Sequence, residues 1–243
     1  VHQHTSRVQC GRCGSWIALT GVKSERIQRI IEHYNQLEMK EAEEGDEREL
    51  WYHYFCELAR RDLAALRAQH VIEKDLEVEH YFEEATSYLL ETKLNHKPLR
   101  QAGTEHADGA LSFRDNWILW DNKSKESPVH LKDHIKQFDR YMEKADKPVP
   151  VFLVIGPDFT SDSSTLAMEY TAEHIGRNIV LVRACDLKEA AEIWSSEGNK
   201  RNAEPFPLGL LARPGLFCLD MIRSSLRGCN EITVAIFSCD AIV

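Results

Sequence analysis

A chain of 243 residues has room for one large domain or two small ones, and 43% hydrophobic against 28% charged residues is enough to build a buried core. No apolar run approaches the ~20 residues that cross a bilayer and no charged-then-apolar leader opens the chain, so it reads as a soluble, cytoplasmic protein without a membrane partner. Thirty basic against 39 acidic side chains leave a net charge of −9, which excludes a protein that grips DNA mainly through its bulk positive field.

At the N-terminus Cys10-Gly-Arg-Cys13 is half of a zinc knuckle, since tetrahedral Zn²⁺ takes four ligands. His2 and His4 stand close by, and a second cysteine pair could equally precede Val1; the competing reading is two free thiols. Val1 is not an initiator and the apolar stretch from Glu231 to Cys239 ends without a polar tail, so the chain reads as a fragment of something longer. Seven cysteines, five of them in apolar surroundings (Cys56, Cys185, Cys218, Cys229 and Cys239), fit reduced core thiols better than a disulfide framework.

From Ser24, the residues Ile27, Ile30, Ile31, Tyr34 and Leu37 recur at helical spacing; the acidic run from Glu41 to Glu49 interrupts them, and Leu50 to His70 resumes the pattern. Gly11 to His70 is therefore predicted as a helical hairpin, and residues 1–77 as an accessory or linker region ahead of a domain spanning 78–243. Val78 to Asn95 has helical period. Gly109–Phe113 and Trp117–Lys123, separated by Arg114-Asp115-Asn116, predict a β-hairpin. Leu131, Ile135, Phe138 and Met142 predict one helix, and Val149–Ile155 and Asn178–Val182 predict strands buried on both faces, with a helix between them near 166–174. The order implies an α/β fold: a mixed central sheet flanked by helices, with at least one parallel crossover. Leu208–Leu226 reads as helical and Ile232–Phe237 as a strand, with no chemistry attached to either.

The chemistry concentrates on the hairpin. Asp108 opens its first strand and Asp121-Asn122-Lys123 closes its second, so strand pairing brings both carboxylates to one end of the sheet. Side chains alternate along a strand, which places Asp121 and Lys123 on one face and Asn122 on the other. Two carboxylates with the Asn122 backbone carbonyl suit a hard divalent cation such as Mg²⁺, for which Mn²⁺ would substitute. Phosphodiester hydrolysis is the reaction this set serves, with Lys123 orienting water or sharing the charge that grows on phosphorus oxygens. The bland alternative is a pair of surface acids at strand ends, common in a chain this charged. No Gly-rich nucleotide loop, HExxH or GxSxG occurs.

E-E-A-T-S-Y-L-L-E at 83–91, H-A-D-G-A-L at 106–111, W-I-L-W-D-N-K-S-K at 117–125 and H-I-K-Q-F-D-R-Y-M at 134–142 stand in an order that resembles the PD-(D/E)xK nuclease superfamily and, within it, the cleavage domain of FokI-type IIS restriction endonucleases. The resemblance spans residues 80–194, about half the chain, so the catalytic core is set at 78–194. It departs from the family at Ala107, where a proline is usual. The resemblance implies that Asp108 and Asp121 bind metal, that Lys123 is the catalytic lysine and that a helical glutamate assists. Glu84 is favoured over Glu83 because it flanks the apolar stripe of its helix. Lys97, Arg100, His106 and Lys125 are candidate DNA contacts, set against the reading of a solvated basic loop; Arg140 and Tyr141 follow on the next helix.

The expected function is thus a Mg²⁺-dependent DNA endonuclease of restriction type acting on double-stranded DNA, a cleavage domain whose sequence recognition lies in a separate domain. Two-strand cleavage would need a homodimer or a second nuclease subunit. The alternatives are a catalytically inactive nuclease-fold module for nucleic-acid binding or assembly, and an RNA-directed nuclease.

Overall fold

The computed structural model describes residues 7–9, 16–18, 46–100, 106–198 and 205–228. The chain divides into two compact units, Val1–Glu47 and Arg48–Val243. In the first, strands β1 (Arg7–Gln9) and β2 (Trp16–Ala18) pair antiparallel. A strand at 16–18 corrects the expectation that helix begins at Gly11. The zinc expectation at Cys10 and Cys13 and the helix expected from Ser24 to Leu37 lie outside the described residues.

The second unit starts with three short helices, α1 (Glu47–His53, whose first residue belongs to the preceding unit), α2 (Phe55–Arg60) and α3 (Leu63–Ala68), rather than one. Arg61 breaks the run: its φ of 53° is left-handed, and its N–H closes the end of α2 on Leu58 O. Asp62 then caps α3 by accepting from Ala65 N. Helix α4 (Glu77–Tyr88) ends in a π turn at Leu89–Lys93.

The sheet runs β3 (Leu99–Arg100), β4 (Gly109–Phe113), β5 (Asn116–Asn122), β6 (Val151–Gly156), β7 (Asn178–Arg183) and β8 (Gly215–Leu216), in that spatial order. The first three pair antiparallel and the last four parallel, so the expected mixed α/β sheet is present. The hairpin turns on Arg114-Asp115, which leaves Asn116 paired with Phe113 inside the ladder. Strand β6 begins two residues later than its apolar run, behind Pro148 and Pro150, which have no N–H to give a ladder.

Alternation along the strands separates two cores. Leu111, Ile118, Trp120, Val151, Leu153, Ile155, Val180 and Val182 face Tyr52, Phe55, Leu58, Leu66, Phe82 and helix α7 (Ala184–Gly198). Ala110, Leu119, Phe152, Val154, Ile179 and Leu181 face helices α5 (Ile135–Lys144) and α6 (Ser163–Glu173). Helices α1–α3 therefore share a core with the sheet, whereas a division after residue 77 had assigned them to an accessory region; the contacts divide the chain at 47/48 instead. The segment expected to be helical from Leu208 is a 3₁₀ turn (Leu208–Leu211), the edge strand β8 and helix α8 (Leu219–Gly228), while Ile232–Phe237 lies outside the described residues. The expectation of reduced core thiols is also corrected in part: Cys56 of α2 and Cys185 of α7 form a disulfide with Cα atoms 5.3 Å apart, and Cys218 is exposed.

Candidate active site at the end of strands β4 and β5

Gly109 pairs with Trp120 across the hairpin, and one step further along the same register sets Asp108 opposite Asp121. Both have the parity of Ala110 and Leu119, so both point to the α5 face of the sheet. Gly109 is required for this approach: a Cβ there would stand 2.2 Å from a Trp120 ring carbon. The backbone N–H of Asn122 donates to Asp108 Oδ2 at 2.6 Å, which pins the first carboxylate to the end of the neighbouring strand.

Asp121 is 3% exposed, and its Oδ2 lies 2.5 Å from Lys123 Nζ. That contact is a charge-assisted ion pair, which lowers the Asp121 pKa against its burial. Lys123 also lies over the ring of Phe138, 5.5 Å from its centroid. The Asn122 side chain points the other way, donating to Thr86 Oγ1 of α4 at 2.7 Å, as strand alternation requires. In an extended strand the N–H and C=O of one residue point to the same edge, so the Asn122 carbonyl lies on the edge where its N–H meets Asp108.

The acidities follow from this crowding. Burial, then the charges of Asp121 and Glu83, push Asp108 up to about 8, against partial relief from the Asn122 N–H and Lys123. Burial also raises Asp121, opposed by Lys123. Glu83 is raised by burial, with the Asp121 charge adding to it and His80 opposing. Three acidic groups therefore feel one another at one sheet end. The glutamate that feels them is Glu83; Glu84, favoured from the helix stripe, is a buried residue of α4.

Among the described residues no group of three or more His, Cys, Asp or Glu side chains gathers as a ready-made metal cage. The donor set present still fits Mg²⁺, which takes oxygen ligands and keeps several waters: two buried, mutually repelling carboxylates beside a strand-end carbonyl. Zinc would find no thiolate or imidazole set there.

The other expected residues are more scattered. Lys97 is exposed ahead of β3 and His106 is exposed ahead of β4, and Arg100 lies in β3 paired with Gly109. Lys125 is half-buried, its backbone N–H held by Ala59 O of α2 while Ser124 Oγ donates to Leu58 O. Tyr141 is buried, accepting from Gln137 Nε2 at 2.6 Å, a packing role within α5. Sequence reasoning missed His134, whose Nε2 accepts from Lys125 Nζ at 3.3 Å. Its only sequence signal was a histidine at the start of the helix after the site.

No protein-family model matches the chain, and no curated protein matches it. Among solved structures it is similar to restriction endonuclease FokI, at 12% identity and a TM-score of 0.42 over 52% of this chain and 26% of that one. It is also similar to restriction endonuclease FokI bound to DNA, at 15% identity and a TM-score of 0.47 over 63% of this chain and 28% of that one. The chain spans about a quarter of the length of these FokI structures, and structural similarity to FokI is what the comparisons establish.

Proposed function

We propose that this chain is the cleavage domain of a restriction-type DNA endonuclease that hydrolyses phosphodiester bonds with Mg²⁺, or Mn²⁺ in its place. The observation that carries the reading is the convergence of Asp108 and Asp121 on one face, both with raised pKa, beside the Lys123 ammonium. Buried like charges at this spacing are unfavourable unless a cation joins them, which favours a functional site over a solvated surface pair.

Asp108, Asp121 and the Asn122 carbonyl would hold the ion. When bound, it supplies a water of lowered pKa and charge stabilisation at the phosphoryl oxygens. The Asn122 N–H and the Thr86 hydroxyl fix the two sides of the β5 end, so the carboxylates keep their geometry without rearrangement. Lys123, 15% exposed beside Asp121, serves to orient the attacking water and share the charge that develops on the phosphate. Half-buried Glu83 supports the same cluster from α4. On this reading the partner is double-stranded DNA, the recognition domain is separate, and a homodimer or second nuclease subunit supplies the second cut.

The test is incubation of the full chain with supercoiled plasmid or labelled RNA, in Mg²⁺ or EDTA, followed by gels. Plasmid nicking that EDTA abolishes, and that Asp121→Ala or Lys123→Ala lowers by about 10²–10⁴-fold, is the expected result. Full metal-dependent cleavage by either variant refutes the site, consumption of RNA alone refutes the substrate, and binding without cleavage favours an inactive nuclease-fold module.

A further inference from the structure

The helix expected over 131–142 is interrupted: Leu131–Asp133 forms a 3₁₀ turn, and α5 begins only at Ile135. His134 sits at the joint, and its ring stacks on Phe138 with centroids 5.9 Å apart at 24°. Phe138 is the same ring that underlies the Lys123 ammonium. Lys125 stands two residues after Lys123, beyond the end of β5, and its ammonium donates to His134 Nε2. A lysine ammonium has donors only, so the imidazole accepts here with a lone pair and is neutral. Burial and the nearby Lys123 and Lys125 charges hold His134 down to about 4, in agreement.

The Lys123 ammonium thus lies over Phe138, and the Lys125 ammonium is held by the imidazole that stacks on that same ring. Among the described residues Lys125 forms no ion pair with a carboxylate; its recorded side-chain partner is the uncharged imidazole. Lys123 is paired with Asp121, whereas Lys125 keeps its charge beside a neutral acceptor, and the natural complement of that charge is an anion. On the nuclease reading above, that anion is the DNA backbone.

We propose that His134 is a positioning residue of this site, holding Lys125 beside Lys123 so that Lys125 receives a phosphate of the cleaved strand next to the scissile one. His134 itself touches no DNA. The clamp depends on the chain after β5 being fixed to α2, through Lys125 N to Ala59 O and Ser124 Oγ to Leu58 O, which leaves only the lysine side chain to be steered.

The experiment compares the full-length wild type with His134→Ala, His134→Gln, Lys125→Met and the double variant His134→Ala/Lys125→Met. Plasmid nicking is followed in Mg²⁺ across a salt series. His134→Ala is expected to raise KM about tenfold, the effect of one charge-assisted hydrogen bond, with kcat altered less than about twofold. It should lower the salt slope by about one, as Lys125→Met does, because one phosphate contact is lost in each case. His134→Gln, whose amide oxygen can accept from Lys125, should restore most of the loss, and the double variant should equal Lys125→Met alone. Additive effects, an unchanged salt slope, a loss confined to kcat, or Gln no better than Ala each overturn the proposal. A wild type that cleaves nothing in Mg²⁺ or Mn²⁺ refutes the nuclease reading by itself. Binding of a duplex oligonucleotide in EDTA by the same variants then decides this proposal through the same slope and the same non-additivity.

Discussion

Asp108 and Asp121 meet because a hairpin register and strand alternation place them on one face, and Glu83 joins them electrostatically from a helix on the opposite face of the sheet. The choice between adjacent glutamates becomes a measurable difference. Glu83→Gln should lower metal-dependent cleavage by about tenfold or more while leaving the melting temperature within a few degrees, because it is half-buried. Glu84→Gln should act mainly on stability, since Glu84 is buried in α4. Melting curves and nicking rates on the two variants separate these outcomes. A second residue-scale consequence concerns acid. His134 is faced by Lys123, Lys125, Asp133 and Gln137, and its folded-state pKa lies near 4, below the ordinary 6.5. The unfolded chain therefore binds the proton more readily, and His134 contributes stability above pH 6.5 that is lost as the pH falls through 4. Thermal melts of His134→Gln should fall less steeply between pH 6.5 and 4 than those of the wild type.

At the scale of elements, the β4–β5 hairpin positions the site and Gly109 lets it close. Trp120 is 1% exposed and its ring occupies the space that a Cβ on residue 109 would need. Gly109→Ala must push the ring or separate the strands, at a cost of about 1–3 kcal/mol. A lowered melting temperature together with a loss of cleavage exceeding that of a remote substitution of equal stability cost is the expected result, because Asp108 is the next residue. Helix α2 acts in a similar way on the other side. Its carbonyls hold Ser124 and Lys125, and its disulfide to α7 ties it to the helix that follows β7.

For the molecule as a whole, the position of the first three helices decides what folds. Phe55, Leu58, Leu66 and Val71 are buried against the sheet core, and at about 1.5–3 kcal/mol each their burial is comparable with the 5–15 kcal/mol that holds a domain together. A chain starting at Arg48 should retain a cooperative melt by circular dichroism, and one starting at Val78 should lose it. Equal stability of the two would show that α1–α3 are dispensable.

Strands β4 to β7 and helices α4 to α6 were legible from residue pattern, because a strand buried on both faces reads as an unbroken apolar run and an amphipathic helix repeats every three to four residues, whereas the two-residue strands β3 and β8 are too short to carry a pattern. The convergence of Asp108, Asp121 and Lys123 was legible for the same reason, since parity within one hairpin is local information. The electrostatic coupling of Glu83 to Asp121, the break at His134 and the membership of α1–α3 in the sheet's core were visible only in the tertiary structure. Each depends on what one element packs against, and side-chain periodicity within an element carries no record of its neighbours.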